Sequence, residues 1–329
     1  MSAVSAGVDG VDGVADSADS AVVDVLVPTC GRPAALAVTL AALGASSGPP
    51  IRIVVSDQSA PSSSDSSCPA SPAPVLSSCA SAPASSLDGP EVAAVLRYLR
   101  ARGIAVDTFR HLPRRGMAEQ RAFLLAQARA PYCLFLDDDV IVEPDLVARL
   151  HAALREQRCG FAGSAVHGLS YLGQLRPEQE AIAFWEGRVQ PETVRPGTAA
   201  WARHHLHSAA NLFHVQSRLA GVQGWTPGPH APAAHPPTCL PTRLYRVAWI
   251  GGCVLFDTGK LRAAGGFDFW RDLPGEHCGE DVLAQLRVME RFGGCGILPS
   301  GAYHMELPTT VSAREVDAPL VLLDAAGRA

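Results

Sequence analysis

Apolar runs and helical periodicities alternate along the first 160 residues. VVDVLVPT, at 22–29, is an almost continuous β-branched run and reads as a buried strand that ends in the turn signal Pro28–Thr29–Cys30–Gly31. PAALAVTLAAL, at 33–43, suits a short helix with Pro33 in its first turn. IRIVV, at 51–55, is a second strand running into Ser56–Asp57. EVAAVLRYLRAR, at 91–102, returns to helical spacing, with Gly103 placed to stop it. Residues 104–109 read as a third strand, 117–129 as a helix, and YCLFL (132–136) as a fourth strand ending in Asp137–Asp138–Asp139. Pro144 opens a helix through Gln157, with Leu146, Leu150 and Leu154 along one face.

The second half is less regular. Residues 161–172 read as a strand and its exit, and RVAWIGGCVLF (246–256) as another strand. A helix is expected near Thr258–Ala264. DVLAQLRVMERFG (281–293) is a clear helix following a glycine-rich loop, and GILPSGAYHMELPTT (296–310) is the last recognisable element. Residues 176–240, rich in His, Pro and Arg, carry no clear period.

Strands alternating with helices predict an α/β fold with a mixed, mostly parallel central sheet flanked by helices. In such sheets ligands bind beyond the carboxyl ends of the strands. Thr29–Arg32, Asp57 and Asp137–Asp139 all fall at those ends, which localises a site from the pattern alone.

Composition refines the boundaries. The chain has 329 residues, 47% apolar and 18% charged, with a net charge of −5, which is globular and lacks a basic footprint for nucleic acid. The 26 prolines and 30 glycines are unevenly spread. Residues 1–21 form an acidic, small-residue leader expected to be disordered, and 58–90 a Ser/Ala/Pro-rich flexible insertion. A single domain is expected over 22–312, its halves being 22–160 and 161–312, followed by a tail at 313–329. No apolar run approaches the roughly 20 residues that span a bilayer, and no secretory signal is present. The expected setting is the cytoplasm, with peripheral membrane association compatible with this pattern. The nine cysteines include no C-x-x-C pair and read as free thiols.

Three adjacent aspartates repel one another, and a divalent cation held by oxygen ligands removes that cost; Mg²⁺ or Mn²⁺ suits them, completed by phosphates and water. A solvated acidic turn is the plainer alternative. Glu280–Asp281 opens a helix, where acidic residues serve as caps or, in a pocket, as a general base. His304 offers an imidazole for metal or phosphate, or a structural hydrogen bond. Arg32, Arg115 and Arg121 stand near helix starts, where guanidinium forks suit pyrophosphate. Trp270 either stacks on a sugar or fills the core. His204, His205, His207 and His214 lack zinc-ligand spacing and read as a surface.

The order of these segments resembles family 2 glycosyltransferases. VDVLVPTCGRP, IRIVVSDQS and RGMAEQRAFLLAQARAPYCLFLDDDVIVEPD resemble their nucleotide-binding half. IGGCVLFDTGKLRAAGGFDFW and GEDVLAQLRVMERFG resemble their acceptor half. The resemblance implies a GT-A fold, a UDP-, GDP- or dTDP-sugar donor, a Mn²⁺ or Mg²⁺ cofactor and inverting transfer of a hexosyl or related group to an acceptor hydroxyl. It implies that Pro28, Thr29, Arg32, Asp57, Arg121, Asp137 and Asp138 bind the nucleotide sugar, and that Asp137, Asp139 and His304 serve the metal. It gives Asp281, with Glu280, the catalytic role, and Gly251, Gly252 and Trp270 the acceptor. A sugar-nucleotidyltransferase would need a glycine-rich phosphate loop after the first strand, of which TCGRPAA is a poor version. A non-catalytic sugar-nucleotide-binding protein is the third reading.

Overall fold

The computed structural model describes residues 21–59, 85–168, 182–207, 241–311 and 314–326. The expected leader falls almost wholly outside these residues, as do most of the 58–90 insertion and much of the His/Pro-rich stretch.

An eight-stranded sheet forms the centre. Its strands are β1 (Val23–Thr29), β2 (Ile51–Asp57), β3 (Ala105–Arg110), β4 (Tyr132–Leu136), β6 (Phe161–Gly163), β8 (Arg243–Tyr245), β9 (Cys253–Asp257) and β10 (Gly294–Leu298). The order is β3-β2-β1-β4-β9-β6-β10-β8. β1 to β4 run parallel, β9 runs antiparallel to both neighbours, and β8 is antiparallel to β10. Every residue of β1 is buried, as expected for a strand covered on both faces. The chain winds outward from β1 to β3 and then returns to place β4 on the other side of β1. That reversal is the switch point at which α/β sheets open a crevice.

Helices α1 (Pro33–Gly44), α2 (Pro90–Ala101) and α4 (Leu146–Gln157) cover one face. Helices α3 (Met117–Gln127), α5 (Thr258–Ala263) and α6 (Glu280–Phe292) cover the other. Each face carries its own apolar cluster, one built on Leu36, Leu40 and Leu150, the other on Phe135, Phe256 and Leu286.

At the end of the sheet away from the crevice, Arg52 is buried and ties three strands together. Its Nε and Nη2 donate to Asp24 of β1 at 2.7 and 2.9 Å, and its Nη1 to Asp107 of β3 at 2.7 Å. Asp24 also accepts the amides of Arg129 and Ala130. Burial alone would raise the Asp24 carboxyl; these donors outweigh it and hold the group below its usual value.

Three differences from the sequence reading matter. The helix expected from Pro144 starts at Leu146, because the residues after the aspartates form the short strand β5 (Val140–Val142). β5 joins β7 (His167–Gly168) and β11 (Ala302–His304) in a second sheet, ordered β5-β11-β7. The expected strand at 246–256 narrows to β9, and Gly251–Gly252 become its entry turn. Residues 318–326, read as tail, form helix α7 packed on α6, with Ala318 fully buried. Among the described residues no helix is long and apolar enough to cross a membrane.

The bare backbone of β10 gives the Tyr245 and Phe161 rings their places. A Cβ on Gly296 would overlap the Tyr245 ring. Gly296→Ala is therefore expected to destabilise the chain by about 1–3 kcal/mol, read as a lower urea midpoint with an unchanged slope.

Candidate active site

Beyond the carboxyl ends of β1 and β4 lies a cavity of about 660 Å³ whose walls include Pro28, Thr29, Arg32, Arg121, Asp137–Asp139, Gly251, Glu280, Asp281 and His304. The strand ends supply one wall, and the first turn of α6 supplies the opposite one. Gly279, just before α6, has φ +74°, and a Cβ there would lie 2.9 Å from Pro319, so the turn presenting Glu280 and Asp281 needs glycine.

The three aspartates are held in three different ways. Asp137 accepts from Arg121 Nη2 at 3.0 Å, while its own amide donates to Gly252 O. Asp138 accepts from Thr29 Oγ1 at 2.6 Å and from Arg32 Nη1 at 3.3 Å. Burial pushes Asp138 up to about 6, although Thr29 and Arg32 pull it down. Asp139 accepts from Arg32 Nη1 at 2.7 Å, and its Oδ2 lies 3.5 Å from His304 Nε2. The His304 ring is oriented by the Glu306 amide, which donates to Nδ1 at 2.8 Å. This bond leaves Nε2 facing Asp139.

Arg121 is buried and bridges the two walls, since its Nε donates to Glu280 at 3.0 Å. Burial would lower its pKa, but Asp137, Glu280 and Asp281 outweigh that and raise it. Glu280 is thus committed to Arg121. Asp281 is partly open to the cavity yet surrounded by protein, and burial and then Glu280 push its carboxyl up to about 7 against the pull of Arg121. Of the acidic pair, Asp281 is the one suited to take a proton near neutral pH.

A divalent cation fits this arrangement in a limited sense. Among the described residues no group of three or more His, Cys, Asp or Glu side chains is set to hold one. Asp139 and His304 would be the residues to hold one, once Arg32 releases the Asp139 carboxylate and the Glu306 amide releases His304 Nδ1 to take the ring proton from Nε2.

Asp57 and Trp270 are not brought to the cavity. Asp57 is buried, and its carboxylate accepts from the Ser59 amide at 2.8 Å, from Ser59 Oγ and from Ser85 Oγ. Ser59 and Ser86 in turn accept from the amides of Gly31 and Arg32, at 2.7 and 3.1 Å. Asp57 therefore braces the loop that carries Arg32. The serines involved belong to the edges of the stretch read as flexible, and those edges are ordered and buried. Trp270 is partly buried against the apolar cluster on the α3 side of the sheet, with Arg271 over its ring. Residues not singled out from the sequence do line the cavity: Met117, Gln120, Trp249, Cys278, Thr309, Thr310, Arg314 and Asp317. Arg314 and Asp317 come from the supposed tail, and no motif marks them.

A second cavity, of about 450 Å³, adjoins the first and shares Asp137, Trp249, Gly251, Asp281 and His304 with it. Gly252 and His204 line it as well. A further cavity between α4 and residues 184–185 and 242–244 has none of the strand-end acids.

The doubly wound sheet with its acidic strand end has the architecture of a GT-A fold. Residues 93–216 match the family described as Glycosyl transferase family 2. S. aureus TarS 1-349, solved in complex with UDP-GlcNAc, aligns with a TM-score of 0.50 at 14% identity, over 88% of this chain and 61% of its own. Mannosyltransferase PcManGT from Pyrobaculum calidifontis, solved with GDP-Man and Mn²⁺, aligns with a TM-score of 0.43 at 14% identity, over 85% of this chain and 58% of its own. This chain spans only 36% of another S. aureus TarS structure. No curated protein sequence matches significantly. Residues 93–216 are therefore similar to family 2 glycosyltransferases, and the architecture is that of a GT-A fold.

Arg121→Met would leave Glu280 and Asp137 facing each other without their shared cation. Breaking a buried pair in this way costs about 3–5 kcal/mol, so a clear loss of melting temperature at pH 7.5 is expected. Lowering the pH should narrow the gap to wild type as the stranded carboxylates take up protons.

Proposed function

We propose that the chain transfers a hexosyl or related glycosyl group from a nucleoside diphosphate sugar to an acceptor hydroxyl, with inversion at the anomeric carbon. The observation that carries this reading is the position of Asp281. It stands where the two cavities meet, with its carboxyl raised to about 7.

The donor belongs in the larger cavity. Its nucleoside lies against Pro28–Thr29 at the end of β1, and its diphosphate lies toward Arg32 and the aspartates. Arg32 is now spent on Asp138, Asp139 and the carbonyl of Pro308, so donor entry exchanges these contacts for phosphate oxygens. Asp139 and His304 would hold Mn²⁺ or Mg²⁺, and Asp137 would face the same phosphates. When bound, the ion offsets charge developing on the departing diphosphate.

The acceptor enters from the smaller cavity, past Gly251 and Gly252. Asp281 takes the proton of its hydroxyl as that oxygen bonds to the anomeric carbon, and the bond from that carbon to the phosphate oxygen breaks. The bonding pair leaves with the nucleoside diphosphate. Glu280 and Arg121 act as positioning residues, keeping Asp281 and Asp137 on opposite sides of the reacting centre.

Two outcomes test this reading. In a thermal-shift screen of UDP-, GDP- and dTDP-sugars, one donor should raise the melting temperature with Mn²⁺ far more than without it. Asp139→Asn should remove the metal-dependent part; a screen with no metal-dependent shift for any donor refutes the metal assignment. For the matching donor, kcat/KM should rise with unit slope from pH 5 and level above about 7, because the base works only when deprotonated. Asp281→Asn should lower kcat by about 10²–10⁴-fold, and nucleotide affinity should fall much less.

A further inference from the structure

Beyond its first turn, α6 buries one polar side chain, Gln285, amid Leu283, Ala284, Leu286 and Val288. A buried amide is costly unless its groups are paired. Here they are spent on two residues. The Ile250 amide donates to Gln285 Oε1 at 2.8 Å. Gln285 Nε2 donates to the Ile250 carbonyl at 2.7 Å and to the Asp281 carbonyl at 3.1 Å. Only this orientation of the side chain sets a donor against an acceptor at both ends. Just ahead of β9, Gln285 thus serves both backbone groups of Ile250 as a neighbouring strand would.

The Gly251–Gly252 turn that follows runs between two carboxylates. A Cβ on Gly251 would stand 3.9 Å from Asp281 Oδ2, and one on Gly252, where φ is +77°, 3.3 Å from Asp137 Oδ2. Asp281 Oδ1 accepts from the Val282 amide at 2.9 Å, and Oδ2 is the oxygen turned toward the glycines. The far end of the turn is tied to the exit of β4, since the Asp137 amide donates to the Gly252 carbonyl at 3.0 Å. A continuous path therefore joins Asp281 to Asp137 through Gln285 and the backbone of Ile250–Gly252. Arg121 makes the other link between these walls, but its hydrogen bonds go to Glu280 and Asp137.

We propose that Gln285 is a positioning residue. It clamps the Gly251–Gly252 turn against the first turn of α6 and so sets the separation of Asp281 from Asp137. The inference rests on the transfer reading for what that separation does, namely holding the proton acceptor at a fixed distance from the group that faces the donor phosphates. The clamp itself is measurable without turnover.

The test compares two substitutions on α6 in the full chain. Gln285→Met nearly conserves volume and removes both bonding groups. Leu286→Ala loosens the same helix from its apolar cluster and removes no bond to Ile250. Amide hydrogen exchange, read by mass spectrometry, should quicken about tenfold at Ile250 and Asp137 in Gln285→Met and stay near wild type there in Leu286→Ala. Turnover is read as nucleoside diphosphate release from UDP-glucose, UDP-N-acetylglucosamine, GDP-mannose and dTDP-glucose with Mn²⁺, water standing in for the acceptor. With the donor that wild type cleaves fastest, Gln285→Met should lower kcat by about 10²-fold and leave the donor KM little changed. Leu286→Ala should lower the melting temperature and keep kcat close to wild type. Circular dichroism checks the folds; if Gln285→Met does not fold, Gln285→Glu, which keeps the acceptor and loses the donors, carries the same expectations. A folded Gln285→Met with wild-type kcat overturns the proposal. So does an equal loss of kcat in Leu286→Ala, a donor KM that rises in step with the fall in kcat, or unchanged exchange at Ile250 and Asp137. If wild type cleaves no donor while exchange still quickens in Gln285→Met, the transfer reading falls and the clamp stands. Donor cleavage by wild type with no change of exchange or kcat in the variant does the reverse.

Discussion

The arrangement depends on gathering five carboxylates at one end of a sheet without letting them repel the fold apart. Asp137, Asp138 and Asp139 end β4, and Glu280 and Asp281 begin α6. Two arginines make this tolerable. Arg121 lies buried between the walls and joins Glu280 to Asp137. Arg32 reaches across from β1 to Asp138 and Asp139. Burial is the first cause of the raised pKa of Asp281 and of Asp138. Electrostatic cost is thus unevenly distributed, and the residue carrying much of it, Asp281, stands where the two cavities meet.

Much of this was legible in the sequence. The alternation of apolar runs with helical periodicity marks β1 to β4 and the helices between them, and hence the strand ends where Thr29, Arg32 and the aspartates converge. The acidic pair at the head of α6 is visible for the same reason, as polar residues abruptly opening an amphipathic run. The direction of β9 is not visible, since CVLFD is as apolar as a parallel strand and period alone carries no orientation. The strands of the second sheet, β5, β7 and β11, are two or three residues long, too short to display any period.

Side-chain roles were less legible than elements. Asp57 sits at a strand end as a ligand residue would, but its partners Ser59 and Ser85 flank a low-complexity stretch that gives no hint of order. Trp270 and Trp249 occupy similar glycine-rich surroundings in the sequence. Only the packing shows that the first rests against an apolar cluster and the second lines the cavities. Arg314 and Asp317 reach the cavity wall because α7 docks on α6, a tertiary event with little local signature.

The serine brace has a consequence for chain length. Ser59 and Ser86 approach to 3.0 Å between their hydroxyl oxygens, so two positions 27 apart in the sequence meet at one point. The entropy of closing such a loop grows only with the logarithm of its length, roughly 0.6 kcal/mol per doubling. A change of chain length between these two serines is therefore inexpensive, provided that Asp57 keeps its hydroxyl partners. The position is a port at which sequence can be added near the strand-end cavity without disturbing its walls.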